Sequence, residues 1–379
     1  MMNNDYCHIP NCEYKYNEWL LPLTAYAGLV LPFFLPSIIS NLIKPVGIGI
    51  SLLFIIRSKK VVFRASHFFL LAYAFVMFIA LVRAQNSAGY SSSISYIIYI
   101  VYAFCYTAVD HKEESVERLI RCCYIAGVTF ATIAAICNPL WGTGTMNRTY
   151  LRMLNISMNA NKVAYTSAIG ISTLPYILLD ERGLKRGLIK HLPAIIVMIY
   201  ALLLTMARGP FLSSIASFAI LFYGLIRRYA KRSFLYTVLL VSVCAIGISM
   251  AYKYMPEDQI TRLMTAESYQ DANGRFEMFG EAVATVNNIA FGEGAGIWSA
   301  LGHSSKIHNL FIDVFVETGL LGVGMLIALL IASLIRVRSI ELLSIAAPMV
   351  VYALVESGDD YIFWVPLILI SLLTYKKTV

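Results

Sequence analysis

The sequence is poor in charge. Aspartate, glutamate, lysine and arginine make up only 14% of its 379 residues, against 59% for the hydrophobic types. With a mean hydropathy of +0.69, that balance excludes a soluble globular domain and leaves a polytopic membrane protein. No stretch has the composition of an extramembrane domain, so residues 1–379 are expected to form one transmembrane helical domain. Barrel strands are excluded because the apolar runs are too long, whereas helices satisfy their own backbone in lipid. A cleavable leader is not expected either: residues 1–19 are polar and lack a positive region leading into a short apolar stretch.

Cysteine is also too sparse and scattered for a framework. Cys105, Cys122, Cys123, Cys137 and Cys244 lie in or near apolar runs and read as small core residues. Cys7, His8 and Cys12 share the polar tail; they are either an incomplete metal set or ordinary tail residues, and neither metal nor cofactor is expected. The formal charge is +8, but its basic residues are spread between apolar runs. That pattern fits cytoplasmic loops beside a lipid bilayer and excludes a nucleic-acid surface.

What the chain does have is a series of long apolar runs. They fall at 20–35, 37–56, 65–82, 92–109, 119–138, 163–179, 191–206, 210–226, 233–252, 309–335, 340–356 and 360–375. Each approaches the ~20 residues that cross a bilayer, so the expected fold is all-α, a bundle of about twelve transmembrane helices. The first two runs, interrupted by Pro32 and Pro36, could be two short spans or one span and an interfacial piece. Lysine and arginine concentrate in alternate loops, among them Arg57 to Arg64, Arg182 to Lys190 and Arg227 to Arg232, which places those loops in the cytoplasm. The far side then carries two substantial loops, 139–162 and 253–308, the latter the large periplasmic loop of the bundle.

The polar residues of interest lie on that far side. Asn147-Arg148 precedes Asn159-Ala160-Asn161 at the mouth of a span. Ala207-Arg208-Gly209-Pro210 is a very tight turn between two spans. Asn273-Gly274-Arg275-Phe276 is followed by Gly292, Gly294 and Gly296. Last comes His308-Asn309, then nine residues, then Gly319-Leu320-Leu321-Gly322. Histidine is the side chain whose charge changes near neutral pH, and a helix beginning here would favour a proton-accepting ring. The glycine pair would let another helix approach one face closely.

Guanidinium groups suit a diphosphate, since they stay charged and offer planar paired donors. Several of them at the membrane surface could bind a lipid-linked diphosphate and stabilise it as a leaving group, while a histidine takes the proton of an incoming sugar hydroxyl. The alternatives stay open at this level. Interfacial arginines also snorkel to lipid head groups. Asp313 and Glu317 offer either proton coupling or simple pairing across helices, and Asp359-Asp360 either orients a site or caps a solvated turn. Arg152 and Arg262 are further candidates for phosphate or sugar contact.

These motifs resemble the O-antigen polymerase and O-antigen ligase superfamily, membrane glycosyltransferases of bacterial surface-polysaccharide assembly. His308-Asn309 with Gly319 and Gly322 fits the family's histidine motif without a gap. Arg208-Gly209 matches its arginine turn, with Ala207 where a polar residue is common, and Gly274-Arg275 with Gly292 to Gly296 matches its arginine and glycine-rich turn. Arg148 with Asn159-Ala160-Asn161 is similar to an arginine followed by an Asn-Pro-Asn turn, with Ala160 in place of the proline. The resemblance implies a glycosyltransferase C-like fold in the inner membrane with its active site on the periplasmic side. It implies metal-independent, inverting transfer of a glycan from undecaprenyl diphosphate to a sugar hydroxyl. His308, Arg275 and Arg208 would be catalytic, and Arg148, Asn161, Asn309, Arg152 and Arg262 would bind substrate. A polymerase, the favoured reading because two far-side loops carry arginines, moves the chain onto a lipid-linked repeat unit. A ligase moves it onto lipid A-core, and a lipid-oligosaccharide transporter is the more remote alternative. The expected partners are the lipid-linked glycan, its acceptor, the bilayer and a chain-length regulator protein.

Overall fold

The computed structural model describes residues 12–33, 37–58, 60–137, 141–143, 149–153, 156–158, 160–180, 184–205, 207–228, 275–303, 307–335, 340–356 and 360–376, with a few single positions between them. The described chain is helical apart from one small sheet. It begins with α1 (Cys12–Val30), which runs into a 3-10 turn at Leu31–Phe33, then α2 (Ser37–Ser58), α3 (Ala65–Val82), α4 (Ser87–Ala108) and α5 (Glu113–Cys137). The segment 139–162, expected on the far side, contains three short strands, β1 (Trp141–Thr143), β2 (Thr149–Met153) and β3 (Ile156–Met158), paired in that order and antiparallel. Then follow α6 (Ala160–Ser172), α7 (Leu174–Asp180), α8 (Leu184–Thr205) and α9 (Arg208–Arg228). Beyond residue 274 come α10 (Arg275–Ala284), the single turn α11 (Ile297–Ala300), α12 (Leu310–Leu334), α13 (Ile340–Val355) and α14 (Tyr361–Lys376).

Among the described residues, four helical stretches are long and apolar enough to cross a membrane: Ala65–Val82, Ser87–Ala108, Glu113–Ile136 and Leu310–Leu334. Four shorter apolar helices accompany them. The other expected spans are not all continuous or within the described residues. The run predicted at 163–179 is divided at Thr173, just before Pro175, whose missing N–H ends a continuous ladder. Most of the run predicted at 233–252 lies outside the described residues.

One core joins most of the helices. At its centre is α14, with every residue from Tyr361 to Leu373 buried, so it is apolar on all sides as a fully enclosed helix must be. Tyr361 meets Tyr99 edge-on at 5.0 Å and Tyr102 at 5.8 Å. Tyr99 lies well inside α4, which starts at Ser87. α3 packs along α4 and forms a hairpin with it.

Against α3 of that hairpin rests α12, which is broken. Gly319 has φ +67 and ψ −164, a conformation open essentially to glycine alone. The broken ladder is completed by the turn at 289–294: Leu320 N–H donates to the Ile289 carbonyl at 2.8 Å and Leu321 N–H to Ala290 at 3.2 Å, while the Val316 and Glu317 carbonyls accept from Glu293 at 2.9 Å and Gly294 at 3.1 Å. Arg83 ties the same turn to the hairpin, donating to the carbonyls of Phe291 at 3.1 Å and Gly292 at 2.9 Å. This corrects the expectation that Gly319 and Gly322 admit a neighbouring helix. A loop backbone takes the space at Gly319, and the atoms nearest a Cβ at Gly322 would be those of Thr318 and Val314 of its own helix.

Candidate functional site

The first half of α12 begins at Asn309, whose carboxamide oxygen accepts from Phe311 N–H at 3.0 Å and Ile312 N–H at 3.1 Å, the asparagine cap that exposed amides at a helix start require. Its Nδ2 donates to the Leu354 carbonyl at 3.0 Å, so the same side chain fastens α12 to the end of α13. His308 precedes the cap with φ +55, the only positive φ among the described non-glycine residues. Such a conformation costs of order 1–3 kcal/mol and persists where surrounding contacts impose it.

The contacts that do so come from the end of α13. His308 Nδ1 lies 3.0 Å from Glu356 Oε2, with the ring about one-third exposed and the carboxylate mostly buried. The other carboxylate oxygen, Oε1, accepts from Asn161 Nδ2 at 2.7 Å. Asn161 is held there as the second residue of α6, a helix buried throughout from Val163 to Ser172. Beside it, Lys162 Nζ pairs with Asp360 Oδ2 at 2.5 Å. Arg275, the first residue of α10, reaches the same place: its Nη1 donates to the Val355 carbonyl at 3.3 Å, one residue from Glu356.

Arg208 opens α9 and is half-buried. Its neighbour Gly209 fits this end of the bundle closely: a Cβ there would fall 2.3 Å from the Tyr165 hydroxyl oxygen and 2.9 Å from Val355 Cγ2. The Tyr165 hydroxyl is buried and has no hydrogen-bond partner among the described residues. Four chain segments distant in sequence thus meet around Val355 and Glu356, bringing His308, Asn309, Asn161 and Arg275 together with the helix start that carries Arg208.

The other expected residues divide differently. Arg152 sits on β2 with its backbone paired to Ser157. Arg148, Arg262, Asn159, Asn273, Gly274 and Asp359 lie outside the described residues, as do Cys7 and His8. Glu317 takes the simpler of its two readings, accepting from Gly296 N–H at 2.9 Å. Asp313 is partly buried in the first turn of α12.

Sequence reading overlooked four residues. Glu356 ends the apolar run 340–356, Lys162 lies in the loop 139–162, and Tyr165 falls within the run 163–179. Lys44, inside α2, is buried with Nζ 3.0 Å from Ser95 Oγ and 4.0 Å from the centre of the Tyr99 ring. The available signal for Glu356 was its place at the end of an apolar run, three residues before Asp359-Asp360.

Residues 193–327 match the family described as O-Antigen ligase. A search of curated proteins returns no match. The matched stretch carries Arg208, Arg275 and the whole motif from His308 to Gly322, whereas Asn161 and Glu356 fall outside it. A membrane protein with a glycosyl-transferring function in polysaccharide biosynthesis accords with both the apolar helices and the match. Residues 193–327, which carry His308, Asn309, Arg275 and Arg208, are thus similar to the O-Antigen ligase family.

Proposed function

We propose that this protein is a metal-independent, inverting glycosyltransferase that moves a glycan from undecaprenyl diphosphate to a sugar hydroxyl at the periplasmic face of the inner membrane. The carrying observation is the convergence of His308, Arg275 and the Arg208-Gly209 helix start at one end of α13. Arg208 and Arg275 hold the diphosphate and stabilise it as it leaves. His308 takes the acceptor's proton. The Tyr165 hydroxyl, buried and without a hydrogen-bond partner among the described residues, lies beside Gly209 at the same end and supplies a donor for a phosphate or sugar oxygen. Arg148, Arg152 and Arg262 extend the phosphate contacts from the two far-side loops.

The favoured acceptor is a second lipid-linked repeat unit, as in a polymerase working beside a chain-length regulator. The description of the matching family supports the other acceptor, lipid A-core. The glycolipid profile of a strain lacking this gene separates them. Core bearing a single repeat unit identifies a polymerase, and bare core with long polymer left on the carrier identifies a ligase. Complementation with Arg275→Ala or His308→Ala is expected to give no polymer at normal protein level. Normal surface glycan in the deletion strain would remove both readings.

A further inference from the structure

We infer that Glu356, itself held by Asn161, is the positioning residue that makes His308 a one-sided base. The inference rests on the transferase reading for its chemistry and on the geometry of three side chains for its substance. A carboxylate can only accept, so the 3.0 Å contact places the ring hydrogen on His308 Nδ1 and leaves Nε2 with its lone pair outward. Asn161 donates 2.7 Å to the remaining carboxylate oxygen and fixes the carboxylate plane. The left-handed backbone at His308 is the visible strain of presenting the ring to this partner. Side chains at α6, at the end of α13 and at the start of α12 are needed to assemble the relay, and two of its three members lie outside the stretch that matches the family.

In the reaction, the acceptor hydroxyl oxygen forms a bond to the anomeric carbon while the bond from that carbon to the diphosphate oxygen breaks. The diphosphate departs with the electron pair, and the hydroxyl proton passes to His308 Nε2. The ring then carries a positive charge, and Glu356 stabilises it through the Nδ1 hydrogen without taking the proton. The other charged and titratable groups gathered at this end of the bundle are Arg208, Arg275, Lys162, Asp360, Tyr165 and, on the ring's own helix, Asp313. Two of them already pair with each other, Lys162 with Asp360.

The test uses the full-length protein in lipid nanodiscs. The donor is the glycan-loaded carrier lipid extracted from cells lacking the gene, supplied with and without their lipid A-core. Glu356→Gln is expected to lower kcat about a hundredfold or more with KM within about threefold, and to change the pH profile of kcat. Glu356→Asp is expected to recover at least roughly a tenth of the lost rate. A Glu356→Gln enzyme with kcat within about twofold of the parent and the same pH profile overturns the inference. Nitrogen-15 NMR of labelled histidine supplies a readout free of activity, with the His308 signal assigned by its loss in His308→Gln. The neutral ring should carry its hydrogen on Nδ1 in the parent and redistribute it in Glu356→Gln; an unchanged tautomer overturns the inference. A parent that transfers nothing, but whose tautomer responds to Glu356→Gln, sinks the transferase reading and leaves the relay standing. Should Glu356→Gln fail to accumulate, Asn161→Ala keeps both relay partners and is read by the same two measurements, with about a tenfold loss of kcat expected and none overturning the inference.

Discussion

Replacing Gly319 by alanine sets the broken helix against its repair. At φ +67 and ψ −164 an alanine carries strain of order 1–3 kcal/mol. Its Cβ would also stand 2.5 Å from both the carbonyl carbon and the oxygen of Ala290, backbone atoms that have no rotamer to escape into. Relief requires the 289–294 turn to withdraw, which loosens the four hydrogen bonds that complete the ladder, each worth about 0.5–1.5 kcal/mol net. Losing even half of them brings the cost to roughly 2–6 kcal/mol. Gly324, one turn and a half further along the same helix, is the control: a Cβ there meets nothing within 4 Å. Alanine favours a helix interior over glycine by up to about 1 kcal/mol, so Gly324→Ala should be neutral or slightly stabilising. The assay is thermal unfolding of the full-length protein in nanodiscs, followed by tryptophan fluorescence, with polymer formation measured in the complemented deletion strain. Gly319→Ala should unfold well below the parent and lose polymer, because the half of α12 that carries His308 is held by that turn. If the two alanine variants unfold together, the account of the break is wrong.

Gly209→Ala should abolish polymer, and adding Tyr165→Phe should restore part of the folded protein by removing the oxygen 2.3 Å from the new methyl; equal damage in single and double variants, read by unfolding midpoint, would contradict the close fit. Asn309→Ala removes the helix cap and should cost about 0.5–2 kcal/mol in the same unfolding measurement, whereas Asn309→Asp keeps the cap but turns an acceptor oxygen toward the Leu354 carbonyl in place of the donor. Glu317→Gln retains an acceptor for Gly296 N–H and should support normal polymer, while Glu317→Ala should lower the unfolding midpoint; lost polymer in a stable Glu317→Gln would restore the proton-coupling role.

The helices were legible because burial in an apolar medium leaves a one-dimensional trace. The runs at 65–82 and 340–356 correspond to α3 and α13 within a residue, as a continuous apolar stretch must do in a chain with so little charge. His308, Arg208 and Arg275 were legible for another reason: ionisable groups beside apolar runs are costly and stand out. The break at Gly319 was not, since the same Gly-x-x-Gly spacing serves a helix crossing or a backbone insertion, and only the chain that arrives decides which. Glu356 was hidden because a carboxylate at the end of an apolar run has an ordinary explanation in solvent.

By itself, then, the sequence determined the solvent this protein lives in, where most of its helices start and stop, and the residue types able to handle a diphosphate and a proton. Hydropathy and charge are local quantities, and neighbours in the chain suffice to express them. Tertiary structure decided which of those residues share one end of α13, that Asn161 and Glu356 stand behind His308, and that the glycine-rich turn mends the helix carrying it. A hydrogen bond of about 3 Å between residues 48 or 195 positions apart depends on how every intervening helix packs.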